Sequence, residues 1–221
     1  MKQQVVGLIP VREGSQRVKE KNFIEFVNGR SLLEFKMDHL KKAKCFDHIY
    51  VSSDSERAKE MALKNRAEFL PREPRYCQSD VPLAEVIYHI MTTIPGDPIV
   101  VWALVTSPLF SNFKAAVDKF LSVKKEYDSL VAVLPKKTYL LSKQGRGINY
   151  HHGHWHPYSQ ELEPFYEVTG ACYIGLKSDM LKWSYWFGIK PYLFEVKEHE
   201  AVDIDTQENF QFAQKLYKVL N

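Results

Sequence analysis

The run Val5-Val6-Gly7-Leu8-Ile9-Pro10 is apolar on both of its faces, and it constrains the fold more than any other feature of this sequence. A strand whose successive side chains are all apolar cannot turn either face to water. Such strands occur where helices cover both sides of a parallel sheet. Similar runs return at residues 49–52, 99–104, 129–134 and 171–176, with shorter ones at 67–70 and 194–196. Helical stretches lie between them. Ser31 and Glu34 have the spacing of a capping box, which predicts a helix through Leu32, Phe35 and Leu40. Residues 55–65, 82–94, 113–125 and 207–220 read as further helices. The alternation predicts an α/β fold built on a mostly parallel, doubly wound (Rossmann-like) sheet. Ligands of such sheets bind beyond the carboxyl ends of the strands. The loops after Ile9, Val51 and Leu104 are thereby gathered around one site.

The rhythm breaks over residues 136–166, which carry Gly145, Gly147 and the run His151-His152-Gly153-His154-Trp155-His156. This stretch reads as a small inserted arm, a dimer contact or a lid, within a single domain spanning residues 1–221. On a strand, His152, His154 and His156 would share a face, yet their spacing matches no structural zinc pattern. A net charge of +3 gives no footprint for nucleic acid. Cys45, Cys77 and Cys172 are far apart and odd in number, so neither a disulfide framework nor a zinc site is indicated. The first apolar run is broken by Pro10 and Arg12, too early for a signal peptide or a membrane span. A cytoplasmic protein without membrane or nucleic-acid partners is expected.

Two clusters carry candidate chemistry. Arg12-Glu13-Gly14-Ser15-Gln16-Arg17-Val18-Lys19-Glu20-Lys21-Asn22 sets four cations in a loop directly after a buried strand. Triphosphates are held by cationic side chains and by backbone N–H groups that can approach closely, as Gly14 permits. The loop is neither a Walker sequence nor a dinucleotide fingerprint; on composition alone a solvated basic loop is equally compatible. Val202-Asp203-Ile204-Asp205-Thr206 puts two carboxylates at i and i+2, on one side of an extended segment, with Val202 and Ile204 turned to the core. Paired hard oxygens suit magnesium that also holds substrate phosphates; the plainer reading is a strand end, with Asp205 or Thr206 capping the last helix. An arginine of Leu70-Pro71-Arg72-Glu73-Pro74-Arg75 is in addition suited to a base carbonyl or a phosphate, though read alone the stretch is a surface loop.

Taken in order, these blocks resemble the acylneuraminate and related acidic-sugar cytidylyltransferases. The resemblance rests on Leu8-Ile9-Pro10-Val11-Arg12-Glu13-Gly14-Ser15 with Lys21-Asn22, on Ile49-Tyr50-Val51-Ser52-Ser53-Asp54 and on Arg72. Thr106-Ser107-Pro108-Leu109, Thr169-Gly170-Ala171-Cys172-Tyr173-Ile174 and Asp203-Ile204-Asp205-Thr206 complete it. It implies a fold of the nucleotide-diphospho-sugar transferase type and transfer of CMP from CTP to a small acidic acceptor. Arg12, Lys21 and the Gly14–Ser15 backbone would hold the triphosphate, with Arg17 beside them, Asn22 near the nucleotide and Arg72 near the cytosine. Asp203 and Asp205 would carry magnesium. The resemblance also implies a homodimer whose arm approaches the partner's site.

Several positions depart from the family pattern. Gln16 stands for a usual lysine, Leu104 for glutamine, Phe110 for arginine, Ser159 for the arginine of an Arg-Gln pair, and Thr169 for asparagine. The resemblance makes these an acceptor pocket less cationic than usual, served by Lys136, Lys137, Gln160 and Thr169, with poor use of N-acetylneuraminic acid. The competing readings are a phosphorylated or phosphonate acceptor, a non-catalytic nucleotide-binding module and a nicotinamide-dependent oxidoreductase. The last lacks the glycine fingerprint.

Overall fold

A computed structural model describes residues 3–14 and 17–221, so Ser15 and Gln16 of the basic loop lie outside the described residues. β1 (Val5–Pro10) is followed by a small hairpin, β2 (Glu25–Val27) and β3 (Arg30–Ser31), which leads into α1 (Leu32–Ala43). Then come β4 (His48–Ser53), α2 (Glu56–Lys64), β5 (Glu68–Pro71), α3 (Leu83–Thr93), β6 (Ile99–Trp102) and α4 (Phe113–Val123). β7 (Ser129–Lys136), β8 (Phe165–Leu176), α5 (Lys177–Trp183), β9 (Pro191–Glu195) and α6 (Gln207–Leu220) complete the chain. The main sheet has the order β5-β4-β1-β6-β8-β7-β9. Its pairings are parallel except at β8, which runs against both β6 and β7. The mostly parallel α/β sheet expected from the sequence is therefore the one that forms.

Both faces of that sheet are buried, as the apolar runs require. On β1, Val5 and Ile9 enter one core cluster, and Val6 and Leu8 enter the other. β6 splits likewise, with Ile99 and Val101 on one side and Val100 and Trp102 on the opposite side. The first cluster is closed by α1, α2, α4 and α6, the second by α3 and α5. α1 is fixed at its start by the expected capping box, in which the Ser31 hydroxyl accepts the Glu34 N–H and the Glu34 carboxylate accepts the Ser31 N–H. Gly7 lets α1 come close, since a Cβ there would lie 3.0 Å from Leu40 Cδ1.

The differences from expectation have local causes. β6 stops at Trp102 because Ala103 bends away after donating to Leu8 O (2.8 Å), carrying residues 104–106 out of the sheet. β8 starts at Phe165 rather than Ala171, since β7 continues past a register shift to pair Lys136 with Phe165. Residues 165–168 are exposed on both faces, so no periodicity marks them as strand. Between β7 and β8, an isolated bridge pairs Leu141 with Gly147, and 3-10 turns form at Gly153–Trp155 and Ser159–Glu161. The histidine run is thus a turn, and the strand face expected for His152, His154 and His156 does not exist. His156 instead stacks on Tyr139 at 4.7 Å, and His152 leans on Tyr150 at 5.1 Å. Among the described residues no group of three or more metal-ligating side chains occurs.

Candidate active site

Beyond the carboxyl ends of β1 and β6 lies a cleft of about 620 Å³, within the size range of small-molecule sites. One flank is built by the loop after β1. Val11 N–H donates to Ser52 O (3.0 Å), and Ser55 Oγ donates to the Glu13 carboxylate (2.9 Å), so the end of β4 braces this loop from behind. Asn22 Nδ2 donates to Arg12 O at 2.9 Å, tying the far end of the loop back to its start. Arg72 is buried, with its guanidinium donating to Val11 O and to Cys77 Sγ. Arg12 Nη1 donates to Cys77 O at 3.1 Å. Two arginines thus staple the β1 loop to the 3-10 turn Pro74–Cys77, which forms a wall of the cleft.

Lys21 lies at the junction with the C-terminal segment. Its side chain is buried and its ammonium donates to Ile204 O. Burial pulls Lys21 below the usual lysine range, while the carboxylates of Asp203 and Asp205 oppose that shift. The pair does share one side, because Ile204 between them is fully buried and its N–H donates to Thr106 O at 2.8 Å. Asp203 keeps an exposed edge. Desolvation nevertheless raises its carboxyl, with Asp205 adding to the rise and Thr106 and Lys21 opposing it. Asp205 pairs with Arg17 at 2.9 Å. Thr206, next in the chain, caps α6 by accepting the Asn209 N–H, so the plainer expectation of a helix cap in this segment is met by Thr206.

The opposite flank is apolar and aromatic. Leu83, Val86, Trp102, Leu104 and Trp186 line it. Trp102 and Trp186 meet edge to face at 6.2 Å, and Trp186 stacks on Tyr173 at 4.7 Å. Both indole N–H groups are buried without a hydrogen-bond partner among the described residues. The cleft therefore combines cationic side chains with an apolar, aromatic lining, and two carboxylates adjoin it beside Arg17 and Lys21.

Residues 6–220 match the family model described as Cytidylyltransferase. The chain belongs to the cytidylyltransferase family. Membership makes it a CTP-dependent nucleotidyltransferase. Pseudaminic acid cytidylyltransferase of Campylobacter jejuni is 27% identical over 96% of this chain and 95% of its own. N-acylneuraminate cytidylyltransferase of Streptococcus agalactiae is 24% identical over 93% of this chain and 51% of its own. Among solved structures, a CMP:2-keto-3-deoxy-manno-octonic acid synthetase complexed with CTP superposes with a TM-score of 0.74 at 12% identity, over 99% of this chain and 100% of its own. At that identity the likeness speaks for the fold.

In this cytidylyltransferase Arg12, Arg17, Lys21, Asn22 and Arg72 all line the cleft. Asp203 and Asp205 are not among its lining residues; they adjoin it through Ile204, which bonds Thr106 and Lys21, and through Arg17, which pairs with Asp205. Gly14 is exposed beside the cleft. The four acceptor candidates are not among the lining residues. Thr169 is buried with its hydroxyl donating to Ala132 O at 3.0 Å, inside the sheet. Lys137 donates to Gln160 O at 2.7 Å, and Lys136 lies 3.7 Å from Glu167, both on the arm side of the molecule. Phe110 requires a plain correction. It is fully buried, packed edge-on against Phe113 at 4.9 Å, and belongs to the core rather than to an acceptor pocket. Of the departures from the family pattern, Leu104 does face the cleft. Trp102 and Trp186 were not singled out from the sequence. An apolar run absorbs the first, and the second reaches the cleft only because α5 folds back across β8.

Proposed function

We propose that this enzyme transfers CMP from CTP to a nonulosonic sugar acid, with release of pyrophosphate. The observation that carries the proposal is the junction where Lys21 bonds Ile204 O and Arg17 pairs with Asp205, beside a cleft lined by cations and by Trp102 and Trp186. The curated relatives act on pseudaminic and N-acylneuraminic acids by name, which supports the acceptor class. Arg12, Arg17 and Lys21 bind the triphosphate by charge-assisted hydrogen bonds, and Gly14 and Ser15 offer backbone N–H groups. Asn22 and Arg72 hold the loop so that these donors stay aligned. The acceptor hydroxyl attacks the α-phosphorus, the bond to the leaving pyrophosphate breaks, and the cations stabilise the charge gathering on it.

Asp203 and Asp205 are a hard-oxygen pair of the kind that holds Mg2+ together with substrate phosphates. Bound there, the ion would neutralise phosphate charge during transfer. Arg17, paired with Asp205 in the structure, would be released toward the nucleotide if that carboxylate held the ion. We further propose a homodimer in the cytoplasm, where CTP is available. In it the arm's Lys136, Lys137 and Gln160 approach the partner's acceptor rather than their own cleft. No helix among the described residues is long and apolar enough to cross a membrane.

Pyrophosphate release from CTP with a panel of acceptors tests the reading. Pseudaminic acid or a close analogue is expected to be turned over. N-acetylneuraminic acid is expected at least about tenfold lower in kcat/KM, since apolar Leu104 offers its polar groups no partner. Turnover of a phosphorylated polyol alone would replace the sugar-acid reading. Asp203→Asn and Asp205→Asn are expected to fold normally and lose nearly all turnover, a loss of several kcal/mol in transition-state stabilisation. Wild-type rates in both at limiting Mg2+ would remove the carboxylate pair from the mechanism.

A further inference from the structure

The buried face of α1 contains a lysine among Leu32, Leu33, Phe35, Met37 and Leu40. Lys36 is fully buried. Among the described residues it has no carboxylate partner within ion-pair distance. An unpaired ammonium in a core is costly, and a leucine or methionine would serve α1 packing better. Two of its donors are placed on backbone carbonyls, Ser107 O at 2.6 Å and Phe110 O at 3.3 Å, and the ammonium lies 5.2 Å from the Phe113 ring. One helical turn on, His39 Nδ1 meets Phe110 O at 3.2 Å. A carbonyl only accepts, so His39 is the donor there. Two side chains of α1 thus clasp both ends of the turn that follows β6.

That turn is where Asp203 is seated. Thr106 O accepts the Ile204 N–H at 2.8 Å, which holds the residue next to Asp203 on this turn, and the Thr106 side chain opposes the rise that burial gives the Asp203 carboxyl. Ser107 Oγ presses against Gly170, where a Cβ would lie 2.6 Å from it. We propose that Lys36 is a positioning residue for cytidylyl transfer: by clasping Ser107 O and Phe110 O from α1 it fixes the turn that orients Asp203. Burial supports the picture by drawing the Lys36 amine down to about 7, which leaves a hydrogen-bonding group rather than a permanent charge. The proposal rests on Asp203 acting in the reaction.

The test compares Lys36→Met, Lys36→Gln, Thr106→Val, the Lys36→Met/Thr106→Val double variant and Asp203→Asn in steady-state kinetics and thermal unfolding. Lys36→Met is expected to lower kcat by about tenfold to a hundredfold, the scale of a misplaced group. KM for CTP should stay within about twofold, because the β1 loop that binds it is untouched. Lys36→Gln, which keeps a donor, should lie between Lys36→Met and wild type. The double variant should be no worse than its weaker parent, since both changes act through one turn. Wild-type kcat in Lys36→Met while Asp203→Asn is inactive overturns the role of Lys36 and leaves the site standing. So do additive losses in the double variant, or a rise in KM for CTP that matches the fall in kcat. Wild-type turnover in Asp203→Asn removes the site itself and this proposal with it. Should Lys36→Met fail to fold, wild-type kcat in Lys36→Gln is the overturning result.

Discussion

Ser107 and Gly170 touch so closely that each limits what the other can be. A methyl group on Gly170 would lie 2.6 Å from Ser107 Oγ and 3.5 Å from Asp203 Oδ1. Gly170→Ala is therefore expected to displace the turn or the carboxylate and to lower kcat by at least about tenfold. Ser107 Oγ is itself buried without a partner among the described residues. Ser107→Ala alone should then be neutral or slightly stabilising, because it removes an unpaired polar group. Combined with Gly170→Ala, it should recover much of the lost rate by vacating the space. Equal rates in Gly170→Ala with and without Ser107→Ala would show that the contact is not what matters. At this scale the sequence was legible where function clusters along the chain. Four cations after one strand and two aspartates at i, i+2 announce themselves. Trp186, Cys77 and Lys36 do not, because only tertiary packing brings them to the site or beneath it, and a lysine in a helix reads as solvent-facing.

α1 joins stability to the site, and the join is sensitive to acid. Burial depresses the His39 imidazole to about 3, with the Lys36 charge adding to the effect, and its ring lies against Phe35 at 4.4 Å. A depressed histidine favours the fold above its unfolded value of about 6.5, and that contribution is lost as pH falls toward the folded value. Lys36, lowered from 10.5 to about 7, acts in a separate window. Its contribution is full above the unfolded value and is already lost by neutral pH. Denaturant unfolding between pH 6.5 and 4 should therefore show a fall in stability that His39→Gln flattens, by up to a few kcal/mol. Equal slopes for the two proteins would remove His39 from that account. Elements followed the sequence best where burial imposes a period. β1, β6 and the α1 cap were readable for that reason. The first half of β8 was not, since residues 165–168 hold their pairing while exposed on both faces.

Across the whole molecule, the largest exposed apolar side chains of the arm are Trp155 and Tyr158, at 79% and 71% exposure, and their exposure supports the proposed dimer. Trp155→Ser with Tyr158→Ser should shift sedimentation equilibrium toward monomer. If partner arms complete the acceptor sites, KM for the sugar acid should rise with the monomer fraction while KM for CTP holds. A variant that stays dimeric with unchanged kinetics would separate the arm from both roles. The single reversed strand gives this arm an unusual freedom. Because β8 runs against β7, the segment leaves the sheet at Lys136 and returns at Phe165, and those two residues are register partners. Its two ends are thus already joined by the ladder, whatever lies between them. Lengthening or shortening such an excursion changes the closure entropy only logarithmically, by about 0.6 kcal/mol per doubling. The sheet and the cleft are in this sense indifferent to the size of the arm. A lineage built on this frame can exchange the arm without redesigning the sheet that carries the cleft.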